Sequence, residues 1–495
     1  MSATFRSLRN RNYRLYAAGS AASNVGTWLQ RVAQDWLVLQ LSGSGTAVGI
    51  TTGLQFLPFL ILAPWAGLIA DRFSKRKVLQ ITQAGMGSTA VVLAVLSLTG
   101  VAEVWHVYVL SFLLGVFSAI DNPARQSFVI EMVGKDDVTN AVGLNSASFN
   151  AARIVGPAIA GFMLIAFDPG VVIAINAVTY LGPIWALSRM RASELSTPEP
   201  APRKKGMVRD GLQYVRGRPD LMLILAVVFF VGCFGLNFQL TSLLMATDVF
   251  GKGSAEYGIL GSIMAVGSLA GALLAARRGG RPRQRMIIGA AVLFGLLEMM
   301  SGLMPTYLLF AVTLPLVGIA SMTMITAANA TMQLSVTPEM RGRVMALYAM
   351  VFIGSTPLGA PIVGWVAEAF GARWTLIGGG ALSVLGTLLA AWLLKRHQGL
   401  RVRAHMLPRP HFHVFEPEDG EPTPPNGAVP TPRGPEAAPD PTPQALSVEP
   451  DKVRPWSSTG TSRPSRPTPT ASRPWREKGL LPRFRRARTG RSATL

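Results

Sequence analysis

Residues 46–70, 78–99, 221–247 and 286–304 are apolar runs, each long enough to cross a hydrocarbon core of about 30 Å. A buried helix of a water-soluble domain rarely stays apolar on every side for that length. Only 15% of the 495 residues are charged, against 49% hydrophobic, too little charge to cover a soluble surface of this size. These runs point to an all-α membrane protein.

Apolar windows bounded by Gly, Pro and charged clusters divide the chain into twelve spans. They are expected at 14–41, 46–70, 78–99, 104–122, 140–166, 170–189, 221–247, 255–276, 286–304, 306–332, 343–369 and 373–395. Spans 1, 5 and 11 hold enough polar and small residues to look weak on hydropathy alone, as spans lining a cavity do. Span 1 follows Arg6, Arg9, Arg11 and Arg14 and is too long for a signal h-region, with no small-residue cleavage site after it, so no cleavable leader is expected.

Basic residues collect in alternate loops. Arg6–Arg14, Arg72–Lys77, Arg125 with Lys135, Arg189–Arg218, Arg277–Arg285, Arg341 with Arg343 and Lys395–Arg403 fall on one side, and chiefly Lys252 and Arg373 on the other. The positive-inside rule then places both termini in the cytoplasm. The formal charge of +21 is read as a topology signal, and nucleic-acid binding is not expected. A preference for Arg over Lys with abundant Ala, Gly and Pro suggests a GC-rich genome.

The Pro- and Arg-rich segment after span 6, with Pro198, Pro200 and Pro202, divides the core into two sets of six spans. The expected organisation is a first bundle at 1–190, a cytoplasmic linker at 191–219, a second bundle at 220–398 and a disordered tail at 399–495. At one fixed offset Gly115 matches Gly318, Leu144 matches Leu347, Gly156 matches Gly359 and Gly161 matches Gly364, a weak internal repeat of the kind transporters carry. The tail lacks the apolar content to offset its chain entropy. Its basic end, Lys452–Arg491, is read either as solvated or as adhering to anionic lipid.

Gly67-Leu-Ile-Ala-Asp71-Arg72-Phe-Ser-Lys75-Arg76-Lys77 joins spans 2 and 3. It resembles the signature of the major facilitator superfamily, with Ser74 where the pattern usually has Gly. The resemblance covers residues 1 to about 398 and implies two pseudo-symmetric six-helix bundles. It also implies that Asp71 faces the N-terminus of span 11 near Gly342, where the helix dipole is positive, and holds the cytoplasmic side closed. Gly67, Asp71, Arg72, Lys75 and Arg76 are the expected cytoplasmic gate. Gly156-Pro157 and Gly161 in span 5 resemble the Gly-Pro motif of exporters in the superfamily, although Phe162 replaces a second Gly. They and their counterparts Gly359, Pro361 and Gly364 are read as packing or kink positions, because Pro removes a helix hydrogen bond and Gly admits a close neighbour. Val32-Ala-Gln-Asp-Trp-Leu-Val-Leu39, Asp121-Asn-Pro-Ala-Arg-Gln126 and Arg153-Ile-Val-Gly-Pro157 are similar to the enterobactin-exporter or transmembrane secretion effector branch, which implies efflux of siderophores, macrolides or other hydrophobic compounds.

Charges inside membrane spans are functional candidates by default. Arg31 and Asp35 stand four apart on one face of span 1, where an ion pair is expected; Asp35 is read as the proton-coupling carboxylate, with a structural pair near the outer end of the span left open beside it. Gln34, Trp28 and Arg153 complete the expected substrate cavity, Arg153 as partner of a carboxylate or of an anionic substrate. Ser111 stands where typical proton–drug antiporters have an Arg four residues before Gly115, which moves the coupling role to Asp35. Glu298 in span 9 is read as facing lipid or the interface.

The single cysteine excludes disulfide and Cys-based metal frameworks, and neither a phosphate-binding loop nor a catalytic or metal-ligand spacing stands out. No enzyme activity, cofactor or metal is expected. The expected partners are a small-molecule substrate, a proton gradient and membrane lipids, the chain acting as a monomer. Uptake by proton symport, and a non-transporting scaffold acting through the tail, remain open beside export.

Overall fold

A computed structural model describes residues 3–196, 207–278, 284–398, 401–405 and 411–415. Twelve long helices make up its body. They are span 1 Arg11–Ser42, span 2 Gly45–Arg72, span 3 Lys75–Leu98, span 4 Val104–Gly134, span 5 Asp136–Ala166, span 6 Pro169–Arg189, span 7 Pro219–Val249, span 8 Ser254–Arg278, span 9 Gln284–Gly302, span 10 Tyr307–Leu334, span 11 Pro338–Phe370 and span 12 Ala372–Gln398. Eleven are long and apolar enough to cross a membrane. Span 1 has the length and lacks the apolarity, since Gln30, Arg31, Gln34 and Asp35 lie within it. Spans 5 and 11, expected to be equally weak, are among the eleven.

Local chemistry sets the turns. Asn10 caps span 1 by accepting from the Tyr13 N–H at 3.1 Å, and Gly43 ends it in the left-handed region at φ 62°. Ser44 caps span 2 at once, so two residues complete the reversal. Span 4 runs past Pro123, where the sequence had suggested its end, as far as Gly134 at φ 74°. An interior proline is tolerated in a membrane helix whose neighbours cover the freed carbonyl. Arg125, assigned to a loop by its charge, therefore sits inside span 4.

The three glycine pairs of the repeat make equivalent contacts in the two halves. A Cβ on Gly115 would meet the Gln55 carbonyl of span 2, and one on Gly318 the Met264 carbonyl of span 8. Gly156 lies against Trp28 of span 1, and Gly359 against the Cys233 backbone of span 7. Gly161 and Gly364 face outward from their bundles, the first to Ser254 of span 8, the second to Gly45 of span 2. The halves thus meet through two glycine-lined seams, spans 2 with 11 and spans 5 with 8.

Both seams are tight at the end opposite the start of span 1 and the end of span 12, here called the far end. Gly49 abuts the Ala360 backbone, and Gly258 abuts Pro157 and Gly161. With Pro157 lacking an N–H, the next amide, Ala158 N, donates to Ser262 Oγ across the seam at 3.1 Å. Glu368 of span 11 also crosses, accepting from Ser44 Oγ, from Thr46 Oγ1 at 2.6 Å and from Thr46 N at 3.2 Å. That carboxylate sits at the positive N-terminus of span 2. Toward the linker end, Val142, Gly143, Ser146 and Ala147 of span 5 and Arg341, Gly342 and Ala346 of span 11 are exposed. A Cβ on Gly143 or Gly342 would touch nothing. The body is closed at the far end and open at the linker end.

In the linker, the helix Met207–Arg216 is tied to span 11 by Asp210 and Arg343 at 3.1 Å. Pro198, Pro200 and Pro202 lie outside the described residues. In the tail, strands Arg401–His405 and His411–Phe415 pair antiparallel, a small exception to the expectation of no regular structure beyond 399. Their alternating residues suit a two-residue repeat. Lys452–Arg491, and with it the reading of lipid adhesion, lies outside the described residues.

Candidate functional site

The polar centre lies where span 1 passes between the halves. Asp35 is 5% exposed, and its Oδ2 accepts from Gln239 Nε2 of span 7 at 2.8 Å and from the Tyr257 hydroxyl of span 8 at 3.0 Å. Both donors belong to the other half, so this carboxylate fastens the first bundle to the second near the closed end. Span 7 is interrupted there. A π-turn at Val231–Gly235 and non-helical residues at Leu236 and Asn237 precede the helical restart at Phe238, which presents Gln239. Such breaks in membrane helices recur at binding sites.

The ion pair expected between Arg31 and Asp35 is not formed. Arg31 instead lies over the Trp28 ring, its Cζ 4.9 Å from the ring centroid, and 5.6 Å from that of Phe56. Helical side chains lean toward the N-terminus, so a base four residues before an acid points away from it, and the reverse order is the favourable one. The reverse order occurs at Asp121 and Arg125 in span 4, where the pair does form, at 2.6 Å. Asp121 also accepts from Thr82 Oγ1 at 2.8 Å and Gln83 Nε2 at 2.9 Å, which satisfies a carboxylate buried within the first bundle.

Trp28 carries a second cation. Arg153 Cζ is 6.0 Å from its centroid, and Arg153 Nη2 reaches Ser268 Oγ of span 8 at 3.4 Å. Two guanidinium groups flanking one indole form a half-buried wall suited to an anionic or aromatic guest. Phe149 stands beside the indole at 5.9 Å and is 46% exposed toward the open end. Gln34 is turned elsewhere: it donates to Ser111 at 3.1 Å, both residues buried. The position expected to hold an antiporter Arg is thus a structural partner of span 1. Gln30 accepts from Asn176 at 2.5 Å and is likewise used in packing.

Of the expected cytoplasmic gate, Lys75 pairs with Glu131 of span 4 at 2.5 Å, and Arg76 donates to the Ser188 carbonyl of span 6 at 2.9 Å. Both contacts stay within the first bundle. Arg72 is exposed, Gly67 is partly buried, and the Asp71 side chain lies outside the described ones. Gly156, Pro157, Gly161, Gly359, Pro361 and Gly364 are all at close helix contacts. Glu298 differs from expectation: it is 1% exposed inside the second bundle, away from any interface. Sequence reasoning missed Gln239 and Tyr257, although a Gln within the apolar span 7 is itself a signal. Among the described residues no cluster of His, Cys, Asp and Glu suits a metal.

Comparison with known proteins extends this picture. The family described as transmembrane secretion effector matches residues 2–420. The chain is 25% identical to the staphyloferrin A transporter of Staphylococcus aureus, over 70% of this chain and 87% of that protein. It is 26% identical to the multidrug efflux pump Tap of Mycolicibacterium fortuitum, over 73% and 90%, and 22% identical to the macrolide efflux protein A of Streptococcus pyogenes, over 73% and 91%. Among solved structures, an inward-facing, unoccupied bacterial homolog of the human lysosomal transporter Spinster superposes with a TM-score of 0.63 at 15% identity, over 80% of this chain and 98% of that one. A D-xylose–proton symporter gives 0.57 at 14% identity, over 78% and 96%. Both likenesses concern the fold.

Proposed function

The chain belongs to the transmembrane secretion effector family of major facilitator transporters, and on that premise we propose that it exports a small organic molecule in exchange for protons. The membrane is the bacterial inner membrane, with both termini and the open end facing the cytoplasm. The observation that carries the reading is Asp35, a membrane-embedded carboxylate whose ligands are both on the opposite half.

In this scheme the empty, ionised carrier stays shut on the far side because Asp35 holds Gln239 and Tyr257. Hydrogen bonds to a charged acceptor contribute about 1.5–3 kcal/mol and neutral ones about 0.5–1.5 kcal/mol. A proton on Asp35 therefore loosens the two contacts by about 2–3 kcal/mol together, enough to let the halves part. A guest seated on Trp28, Arg31 and Arg153 from the cytoplasmic side releases the same seam by engaging the residues around it. The carrier turns over with a proton or with a guest, and stands still with neither, which is exchange. Relatives named for siderophore, macrolide and multidrug transport favour an amphipathic guest, and the paired guanidinium groups favour one with an acidic or aromatic part.

The test is efflux from a pump-deficient bacterial host, with dyes, macrolides and catecholate siderophores, with and without an uncoupler and beside Asp35→Asn. Export that the uncoupler stops and Asp35→Asn abolishes is the expected result. Export that survives in Asp35→Asn removes Asp35 from coupling, and accumulation in place of efflux reverses the direction of transport.

A further inference from the structure

Glu298 lies at the middle of the second bundle. Its Oε2 is buried with no hydrogen-bond partner among the described residues. A Cβ on Gly235 of span 7 would lie 3.0 Å from that oxygen, and one on Gly379 of span 12 would lie 3.3 Å from Oε1. The same Gly379 position touches the Phe234 carbonyl, in the π-turn of span 7. Phe294, one turn earlier on span 9, closes the site at Gly235.

The groups around it carry no charge. In spans 7, 10 and 12 the charged side chains stand only at the ends: Asp220, Asp248, Arg373, Lys395 and Arg396. Arg373, at the far end, is bonded to the Gly302 and Met304 carbonyls. Next to it are Gly235 of span 7, Gly379 of span 12, and, one turn on along span 9, Ser301, which is bonded to Thr313 of span 10. An ionised carboxylate here has neither donor nor counter-ion, and the uncharged acid is the form such a place accommodates. The walls offer too few oxygens for a metal cation.

A second observation gives the site a route. Ser383 Oγ and Thr387 Oγ1 are also fully buried and unpartnered. With Gly379 they fall at four-residue intervals on the face of span 12 that meets span 7, since Gly379 touches Phe234 and Gly386 touches Phe230. The row advances about 6 Å per step toward the linker end. Three polar positions without partners in one line are what a thread of water would satisfy.

We infer that Glu298 is a second proton-binding site, filled from the linker end past Thr387 and Ser383, and that it acts on the broken segment of span 7. That segment holds Gln239 against Asp35 on one side of the break and Gly235 against Glu298 on the other. Loss of the Glu298 proton places a charge beside the π-turn, and the segment must move to solvate it. The inference goes beyond the export reading and does not need it.

The experiment is infrared difference spectroscopy of the full-length protein in lipid, titrated in H₂O and D₂O. The wild type should show a carbonyl-stretch band of a protonated carboxylic acid that Glu298→Gln removes and Asp35→Asn keeps. Deuterium exchange of that band should slow in the Ser383→Ala, Thr387→Val double variant while its intensity holds. Glu298→Met, which fills the site without a carboxyl, should also lack the band, so an unstable Gln variant does not leave the matter open. A wild-type spectrum that Glu298→Gln and Glu298→Met leave unchanged overturns the proton site. Unaltered exchange in the double variant overturns the route. Since the band is read without transport, failure of the export reading would leave it intact.

Discussion

Gly258→Ala should open the far end. A Cβ there would stand 2.9 Å from Gly161 Cα, 3.1 Å from Gly161 N and closer still to the Pro157 carbonyl oxygen. All three are backbone atoms, so no rotamer change relieves them. Ordinary contact begins near 3.5 Å, so the Gly161 contact alone would widen the seam of spans 5 and 8 by roughly 0.6 Å, and the closer Pro157 oxygen requires roughly 1.3 Å. Overpacking of this kind costs about 1–3 kcal/mol. The cost exists only while the seam is shut, and the intrinsic helix preference of Ala over Gly applies to both states and cancels. The open fraction should therefore rise about 5- to 150-fold. The reporter is Leu244→Cys in a Cys233→Ala background, because Leu244 is 1% exposed and touches Gly45 in the other seam. Labelling by a membrane-impermeant maleimide applied to the far side tracks the open fraction. Gly289→Ala is the control, as a Cβ there meets nothing within 4 Å. Labelling unchanged in Gly258→Ala, or raised equally in the control, would refute closure by backbone contact.

Two further outcomes follow from named contacts. Arg125→Leu strands the Asp121 carboxylate, whose side chain is 6% exposed, and should cost about 3–5 kcal/mol in thermal unfolding. Adding Asp121→Asn should recover most of that loss, and a double variant as unstable as the single one would show that the pair is not the cause. Glu368→Gln keeps the shape of the clamp on Ser44 and Thr46 but removes its charge from the N-terminus of span 2. Leu244→Cys labelling should rise about 2- to 5-fold, the range for one helix-dipole contact. An unchanged rate removes Glu368 from the closure.

The architecture was legible because lipid demands long apolar helices, and the blocks and their charged loops record that demand directly. The three glycine matches were legible for a related reason: backbone contact leaves no room for a side chain, and Gly115, Gly156, Gly161 and their counterparts are all at such contacts. The site was legible only in part. Composition marked Arg31, Asp35 and Arg153 as costly in a membrane, but the spacing of four suggested a partner that helix geometry denies to Arg31. Partners from the other half, Gln239 and Tyr257, are more than 200 positions away in sequence and carry no local signature. Glu298 was misplaced because span 9 is apolar all round, so the sequence does not say which side faces the bundle. Span 4 was ended at 122 and Arg125 was read as a loop charge, because a basic residue beyond an apolar run looks the same in sequence whether or not the helix continues.

The arrangement of charge accounts for why one carboxylate suffices for coupling in span 1. The other acids near the seams are satisfied where they stand: Asp121 by Arg125, Thr82 and Gln83, Glu131 by Lys75, and Glu368 by the cap of span 2. None of the first two needs the other half, so neither changes as the halves part. Glu368 does cross, but at an exposed rim where water replaces its donors at little cost. Among the described acids, Asp35 alone is both buried and dependent on donors from across the seam. Parting the halves takes those donors away from an ionised group in a membrane interior, and either a proton or water admitted from the far side has to take their place. The far side is where an exporter meets the proton it exchanges, so the same movement that frees Asp35 exposes it to its counter-ion.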